Sequence, residues 1–366
     1  MTKLILHIGT HKTGTTAIQQ FCEANTVALA ENGILYPLFD VRWPQRVFRS
    51  RNAFFLNRRA LRTLGVEDAA PDTDQIKTCE REMRRLLKAS DAPTVLLSDE
   101  RMWYSGALHK GYWEAVRDAA RKFGFEGIEI IVYLRRQDLF AESLWNQFVK
   151  ATKKTETLQD YLNGGNIRAA CDYYAGVKRL EAVFGKDAVR VAIYDRDKLK
   201  NHDVVDDFCY RIGLPLSGDY EQPVKSGGNE RLNNNLVELK RIMNQSSEHQ
   251  QLNNAFGPAL AHAMLVDTWT PDTHMLTDEQ RQKFLEPYKK GNKQLAKEYF
   301  SGSQLFAPAK ESDLPQWQFD SQAMLYDAVL VLTDILATDE RRIRMLEARV
   351  AKLESELSGG DRGRGK

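Results

Sequence analysis

The run His7-Ile8-Gly9-Thr10-His11-Lys12-Thr13-Gly14-Thr15-Thr16 sets a lysine, two glycines and four threonines between a short apolar stretch and a segment of helical spacing. Gly9 and Gly14 let the backbone bend and come close to a ligand, and a helix start directs its free N–H groups to one spot. Lys12 adds a mobile positive charge and the threonine hydroxyls add donors, so the chemistry on offer is the holding of an anion such as a phosphate. Against the triphosphate loop pattern GxxxxGK[ST], Gly9, Gly14 and Thr16 match, but Thr15 stands where the lysine belongs. A lysine three places too early does not suit the β- and γ-phosphates of ATP or GTP. A nucleotide-dependent kinase is therefore an alternative rather than the first reading, and a Gly/Thr-rich turn without a ligand is the plain one.

A second cluster is Ile130-Ile131-Val132-Tyr133-Leu134-Arg135-Arg136-Gln137, with Ser143 eight residues after Arg135 on the next helical segment. Taken alone, Arg135 is a solvated charge at a strand end. An arginine fork and a serine hydroxyl can also share a phosphate monoester.

Together the two clusters resemble PAPS-dependent sulfotransferases (PAPS, 3′-phosphoadenosine-5′-phosphosulfate). Lys12-Thr13-Gly14-Thr15-Thr16 is similar to that family's 5′-phosphosulfate loop, Lys-x-Gly-Thr-Thr, and Arg135 with Ser143 to its 3′-phosphate motif. The chain has Arg136-Gln137 where Asn-Pro is frequent in the family, which leaves open which arginine meets the phosphate. Gly33-Ile34-Leu35-Tyr36-Pro37 and Tyr194-Asp195-Arg196-Asp197 also resemble family stretches, and the likeness spans roughly residues 1–305.

The resemblance implies a P-loop-like α/β fold, PAPS as co-substrate and adenosine 3′,5′-bisphosphate as product. It makes Lys12, Thr13, Gly14, Thr15, Thr16, Arg135 and Ser143 the donor-binding residues, with Lys12 also catalytic and no metal required. The family carries a histidine or glutamate base after its third strand, and Glu100, beside Asp99, stands there. Partial burial would favour proton uptake by such a carboxylate, although a carboxylate at a helix start is also an ordinary structural feature. Asp99, His11 and His109 are the other candidates. The acceptor implied is a hydroxyl, best a carbohydrate or glycolipid. The segment from Arg42 to Asn52 mixes four arginines with aromatics and suits a glycan as well as it suits a solvated basic loop. Lys225–Arg231 is a candidate to close over the 3′-phosphate.

Elements able to position these groups are legible in the hydropathy pattern. Apolar runs at Leu4–Ile8, Ile34–Tyr36, Thr94–Leu97, Ile128–Leu134 and Val189–Tyr194 predict buried strands. Between them, 15–31, 74–90, 111–123, 137–151 and 168–184 predict helices. Strand alternating with helix predicts a central parallel sheet covered on both faces. Beyond residue 200 the pattern predicts helices at 203–212, 230–244 and 278–299, with an irregular stretch over 253–276. The expected organisation is a sulfotransferase domain over 1–305, a linker over 306–319, a long helix over 320–358 and a disordered tail over 359–366.

In that last helix Ile343, Leu346, Val350, Leu353 and Leu357 step by three and four, the spacing of a coiled-coil seam about two heptads long. It suggests a homo-oligomer, or else an amphipathic helix packed on its own domain. A non-catalytic assembly protein built around this helix is the third functional alternative.

With 52 basic and 50 acidic residues the net charge is +2, which gives no footprint for nucleic acid. The four cysteines lie far apart and form no metal or disulfide pattern. No signal-like or membrane-length apolar run occurs, so the expected location is the cytoplasm.

Overall fold

Side chains alternate along the first strand, β1 (Lys3–His7): Leu4 and Leu6 enter one apolar layer and Ile5 the opposite one. A strand with both faces apolar has to be covered on both sides, and the architecture follows from that. The computed structural model describes residues 2–43, 46–66, 73–216, 218–222, 232–246, 256–263, 273–302, 304–308 and 315–360.

The chain divides into two units. The first comprises Met1–Leu144, Gln159–Ser226 and Gln280–Lys310 and holds a five-stranded sheet. Its remaining strands are β2 (Ile34–Leu35), β5 (Thr94–Ser98), β6 (Ile128–Leu134) and β7 (Val189–Ile193), and a separate hairpin supplies β3 (Val41–Trp43) and β4 (Arg46–Phe48). The order β2-β5-β1-β6-β7 is parallel throughout.

One face of the sheet presents Leu4, Leu6, Val95, Leu97, Ile130, Val132 and Val191. These pack against α3 (Phe54–Thr63), α4 (Thr73–Ala89), α5 (Arg101–Leu108), α6 (Tyr112–Arg121) and α10 (Tyr173–Phe184). The other face, with Ile5, Leu96, Ile131, Tyr133 and Ala192, is covered by α1 (Thr15–Ala24), α2 (Thr26–Glu31) and α11 (Val204–Ile212) through Ile18, Phe21, Leu29, Val205 and Phe208. This is the three-layer α/β fold expected. Cys22, Cys79, Cys171 and Cys209 are buried free thiols.

The second unit comprises Trp145–Leu158, Gly227–Glu279 and Glu311–Lys366, and its described regular structure is helical apart from an isolated parallel bridge between His274 and Gln316. It contains α12 (Asn234–Met243), a helix over 256–263 and the 40-residue helix Ser321–Gly360. Asn244 pins the chain here, its Nδ2 donating to the carbonyls of Val149 (3.0 Å) and Lys154 (2.8 Å). No helix among the described residues is long and apolar enough to cross a membrane.

The helix α7 (Gln137–Ala151) keeps its expected bounds, but three other expected helices are interrupted. The one over 15–31 breaks at buried Asn25, whose amide accepts from Glu221 N and donates to Glu221 O, both at 2.8 Å, a demand from 196 residues away. The one over 168–184 follows the short α8 (Leu158–Asn163) and begins earlier than expected, as α9 (Gly165–Cys171). It restarts at Asp172, whose side chain accepts from Ala175 N and so caps α10. The one over 278–299 is divided by a 3₁₀ turn at Glu286–Tyr288 containing Pro287. The stretch 253–276 is not wholly irregular, because residues 256–263 are helical and bury Phe256, Ala259 and Leu260.

Candidate active site

Beyond β1 the chain stays paired to β6 for three more residues. Ile8 N donates to Ile131 O (3.0 Å), Tyr133 N to Gly9 O (2.7 Å) and Thr10 N to Tyr133 O (2.9 Å). It then coils tightly, with positive φ at Gly9 (94°), Lys12 (63°) and Gly14 (77°). For lysine that region is strained and persists only where the surroundings impose it. A methyl group on Gly9 would meet Glu100 Cα at 2.9 Å, and one on Gly14 would meet Val204 Cγ1 at 2.7 Å, so both glycines are required by close approach as well as by backbone angle.

The loop's threonines do not all act as expected. The Thr13 and Thr15 hydroxyls turn inward and donate to the carbonyl of Thr10 at 2.6 and 3.3 Å. They brace the loop, while Thr16 faces solvent. What the loop offers outward is the first turn of α1, which carries no side-chain cap and no acidic residue. Uncapped N–H groups with the positive end of the helix dipole behind them form an anion-binding surface.

Arg135 follows β6, the neighbour of β1, and its Nη1 donates to Lys12 O at 3.2 Å. Its guanidinium lies 5.8 Å over the Tyr194 ring, and its carbonyl accepts from Tyr173 OH at 2.6 Å. Arg136 faces elsewhere. It grips buried Asp138 with two bonds of 2.7 and 2.9 Å, and Arg281 approaches the same carboxylate at 3.3 Å. Arg135 is therefore the arginine beside the loop. Ser143 lies two turns into α7 and is nearly buried.

The meeting point of loop and arginine has a topological cause. After β1 the chain runs to β2 on one side, and after β6 it runs to β7 on the other. Between two such strands a crevice opens at the carboxyl edge of a parallel sheet, the usual place for a ligand.

On the other side of β1, the end of β5 carries Ser98, Asp99 and Glu100. Asp99 is wholly buried and already committed: it accepts from Arg51 Nε (2.8 Å), Asn57 Nδ2 (3.0 Å) and Arg101 N (2.9 Å). Burial pushes its carboxyl upward, but the Arg51 charge together with the hydrogen bonds from Arg51, Arg101 and Asn57 outweighs burial and holds it below the usual carboxylate range. It is an anchor for Arg51 and for the start of α5.

Glu100 is partly exposed, with Oε2 accepting from Gln19 Nε2 at 3.3 Å and lying 4.0 Å from Arg51 Nε. Gln19 Nε2 also donates to Ser98 Oγ (3.1 Å), which lies 2.9 Å from His7 Nδ1. Glu100 thus ends a buried polar chain running back into β1.

His11 is buried edge-on against Tyr104, its Nδ1 without a hydrogen-bond partner. Burial drives it down to about 4, with Glu100 pulling the other way and Arg51 and Arg101 reinforcing the drop. His7 is lowered to about 4 by burial as well, again opposed by Glu100. His109 sits at the far end of α5, about 14 Å along the helix from Glu100 at 1.5 Å per residue.

Part of the arginine-rich segment turns inward. Arg49 is half exposed and pairs with Asp40 (3.0 Å), but Arg51 serves Asp99, and buried Asn52 bridges Pro37 O and Leu96 O while accepting from Ser98 N. Lys225–Arg231 lies outside the described residues. Sequence reasoning missed Gln19, Arg51 and Val204, whose roles depend on contacts 48 to 190 residues away along the chain.

No family model matches the chain. It is 26% identical over 197 residues to an uncharacterised protein of Archaeoglobus fulgidus, a match covering 50% of this chain and 49% of that protein, so the chain spans about half the length of this curated relative. Among solved structures it is similar to a sulfotransferase from Alicyclobacillus acidocaldarius, at 17% identity with a TM-score of 0.42, over 62% of this chain and 87% of that one. It is also similar to the sulfotransferase domain from the curacin biosynthetic pathway, at 10% identity with a TM-score of 0.37, over 78% and 97% of the two chains.

Proposed function

We propose that this chain is an enzyme that transfers a sulfonate group from PAPS to a hydroxyl acceptor, a carbohydrate or glycolipid. The observation that carries the reading is the convergence of Lys12 and Arg135 in the crevice between β1 and β6, 3.2 Å apart through the lysine carbonyl. A donor with phosphate groups at both its 5′ and 3′ positions asks for two separate cationic residues, and Lys12 and Arg135 follow the two adjacent strands.

The residues present suit such a donor. Backbone N–H groups of Thr13 to Thr16 at the uncapped start of α1 hold the 5′-phosphate, and Arg135 with Ser143 takes the 3′-phosphate. Lys12 neutralises the charge that gathers on the bridging oxygen as the sulfur–oxygen bond breaks and adenosine 3′,5′-bisphosphate leaves with the electron pair. The acceptor oxygen forms the new bond to sulfur and its proton passes to Glu100. Asp99 does not suit that role, because it is wholly buried and held as a carboxylate by Arg51, Asn57 and Arg101.

Titration calorimetry with adenosine 3′,5′-bisphosphate in the absence of magnesium tests the reading. Binding to the wild type is expected, with loss on Lys12→Ala and Arg135→Ala. No binding, binding indifferent to both substitutions, or magnesium-dependent binding of ATP instead would overturn it.

A further inference from the structure

The helix Ser321–Gly360 starts with its first N–H groups held by Asp320, which accepts from Gln322 N at 2.8 Å and from Ala323 N at 3.2 Å. Its first half has two apolar faces. Met324, Val331 and Ile335 are buried in the second unit, where this helix packs with α12. Leu325, Val329, Leu332 and Leu336 are not, being between 49% and 69% exposed. The exposed stripe continues through Ile343, Leu346, Val350 and Leu353, each about half exposed, and every described side chain from 336 to 355 is exposed. The helix thus packs on its own unit by one face and leaves the seam uncovered on another.

The seam is also longer than the two heptads first evident. From Leu325 to Leu357 the positions alternate by four and three without a slip, interrupted in character only by Asp339. The a positions are Val329, Leu336, Ile343, Val350 and Leu357, and the d positions are Leu325, Leu332, Asp339, Leu346 and Leu353. At 1.5 Å per residue the stripe is roughly 48 Å long. So extended an apolar patch on a surface marks an interface, and an isolated helix of this kind is marginal in water without one.

Its composition selects the occupant. β-Branched residues at three of the a positions, with leucine at four of the five d positions, favour two parallel strands. The flanking charges agree. Arg342 and Arg349 occupy g positions, and Glu347 and Glu354 occupy the e positions five residues later. In a parallel pair each g arginine faces an e glutamate of the other copy, whereas an antiparallel pair sets arginine against arginine and glutamate against glutamate. Glu340, at an e position whose g counterpart is the buried Ile335, is instead paired within its own chain to Arg344 at 3.0 Å. Among the described residues, Arg342, Glu347 and Arg349 have no ion-pair partner in their own chain.

We propose that Leu325–Leu357 is the interface of a parallel, in-register, two-stranded coiled coil with a second copy of this chain, clasped by Arg342–Glu347 and Arg349–Glu354 pairs between copies. Asp339 faces its own counterpart in that register. It costs stability at one layer and separates the seam into two apolar blocks, as polar residues at core positions do when they fix register. The proposal is independent of sulfonate transfer.

Sedimentation equilibrium of the full chain tests it, with a mass twice that of the monomer expected. Leu346→Asp with Leu353→Asp, at positions half exposed in the single chain, should leave the circular dichroism of the folded units intact and weaken association about 100-fold or more. Asp339→Leu should tighten it. A Val350→Cys chain should form an interchain disulfide on mild oxidation, since the four native thiols are buried. A monomeric wild type, a trimer, a dimer indifferent to the double aspartate variant, or a dimer that Val350→Cys cannot cross-link each overturns the proposal.

Discussion

Arg135 Nη1 donates to the carbonyl oxygen of Lys12 at 3.2 Å, joining two residues 123 positions apart at the carboxyl edge of adjacent strands. Arg136, next in the chain, points at Asp138 instead. The pair separates two kinds of loss. Arg135→Ala should weaken adenosine 3′,5′-bisphosphate binding by about 2–3 kcal/mol, the value of a charge-assisted contact, with little change in stability. Arg136→Ala should keep nucleotide affinity and lower stability by about 1–3 kcal/mol, because buried Asp138 retains only Arg281. Calorimetry and urea unfolding read the two, and the opposite pattern would reassign the phosphate arginine.

Asp99 and Glu100 divide in the same way. Glu100→Gln should reduce turnover by about 10²–10⁴-fold with donor affinity retained. Asp99→Asn should cost about 3 kcal/mol of stability, since Arg51, with 16% of its side chain exposed, loses its hydrogen-bonded charged partner and keeps only the 4.0 Å approach to Glu100. Steady-state kinetics with thermal melts distinguish them, and full activity of Glu100→Gln would move the base elsewhere.

Acid sensitivity follows from the two buried histidines. His7 and His11 are held down to about 4, against an ordinary 6.5 in the unfolded chain. Between those values the unfolded chain binds protons that the native state refuses, so stability falls as pH drops from 6.5 to 4, by up to about 1.4 kcal/mol per pH unit per histidine. Above 6.5 these groups contribute no slope. Asp99, held low by Arg51, adds a separate loss that begins only near pH 4 and below. Urea unfolding from pH 4 to 8 should show the slope, reduced by one histidine's share in His11→Gln. A flat profile in the wild type would mean that both imidazoles take up protons in the folded state.

Gly14→Ala should destabilise the loop through both its 77° φ and the 2.7 Å approach to Val204. Val204→Ala in the same chain should return the steric part and leave the backbone part. A double-mutant cycle then gives a favourable coupling of about 0.5–3 kcal/mol, and strict additivity would show that the two residues do not touch.

The hairpin β3–β4 and the strand order were not legible in the sequence, whereas the five strands of the sheet, their parallel direction and α7 were: Ile128–Leu134 has nowhere to go but a buried strand, and Lys12 and Arg135 sit at strand ends that the sheet brings side by side. The breaks at Asn25 and Asp172 were not, since each depends on a hydrogen bond outranking local helix preference. Nor was α3, where Asn57 and Arg58 interrupt the apolar pattern yet are buried, Asn57 between Asp99 and Tyr112. The arginine-rich segment misled for the same reason: Arg51 looks solvated until Asp99 is known to lie across from it.

Val204, at the start of the last helix on its side of the sheet, packs its methyl groups against the turn at Gly14. The anion loop is thus moulded by a residue 190 positions downstream and cannot be treated as a portable peptide. A fragment ending after Ser143 would carry every residue of both donor motifs and still lack the wall that shapes the first of them, so any truncation or graft meant to keep this site has to extend through residue 212.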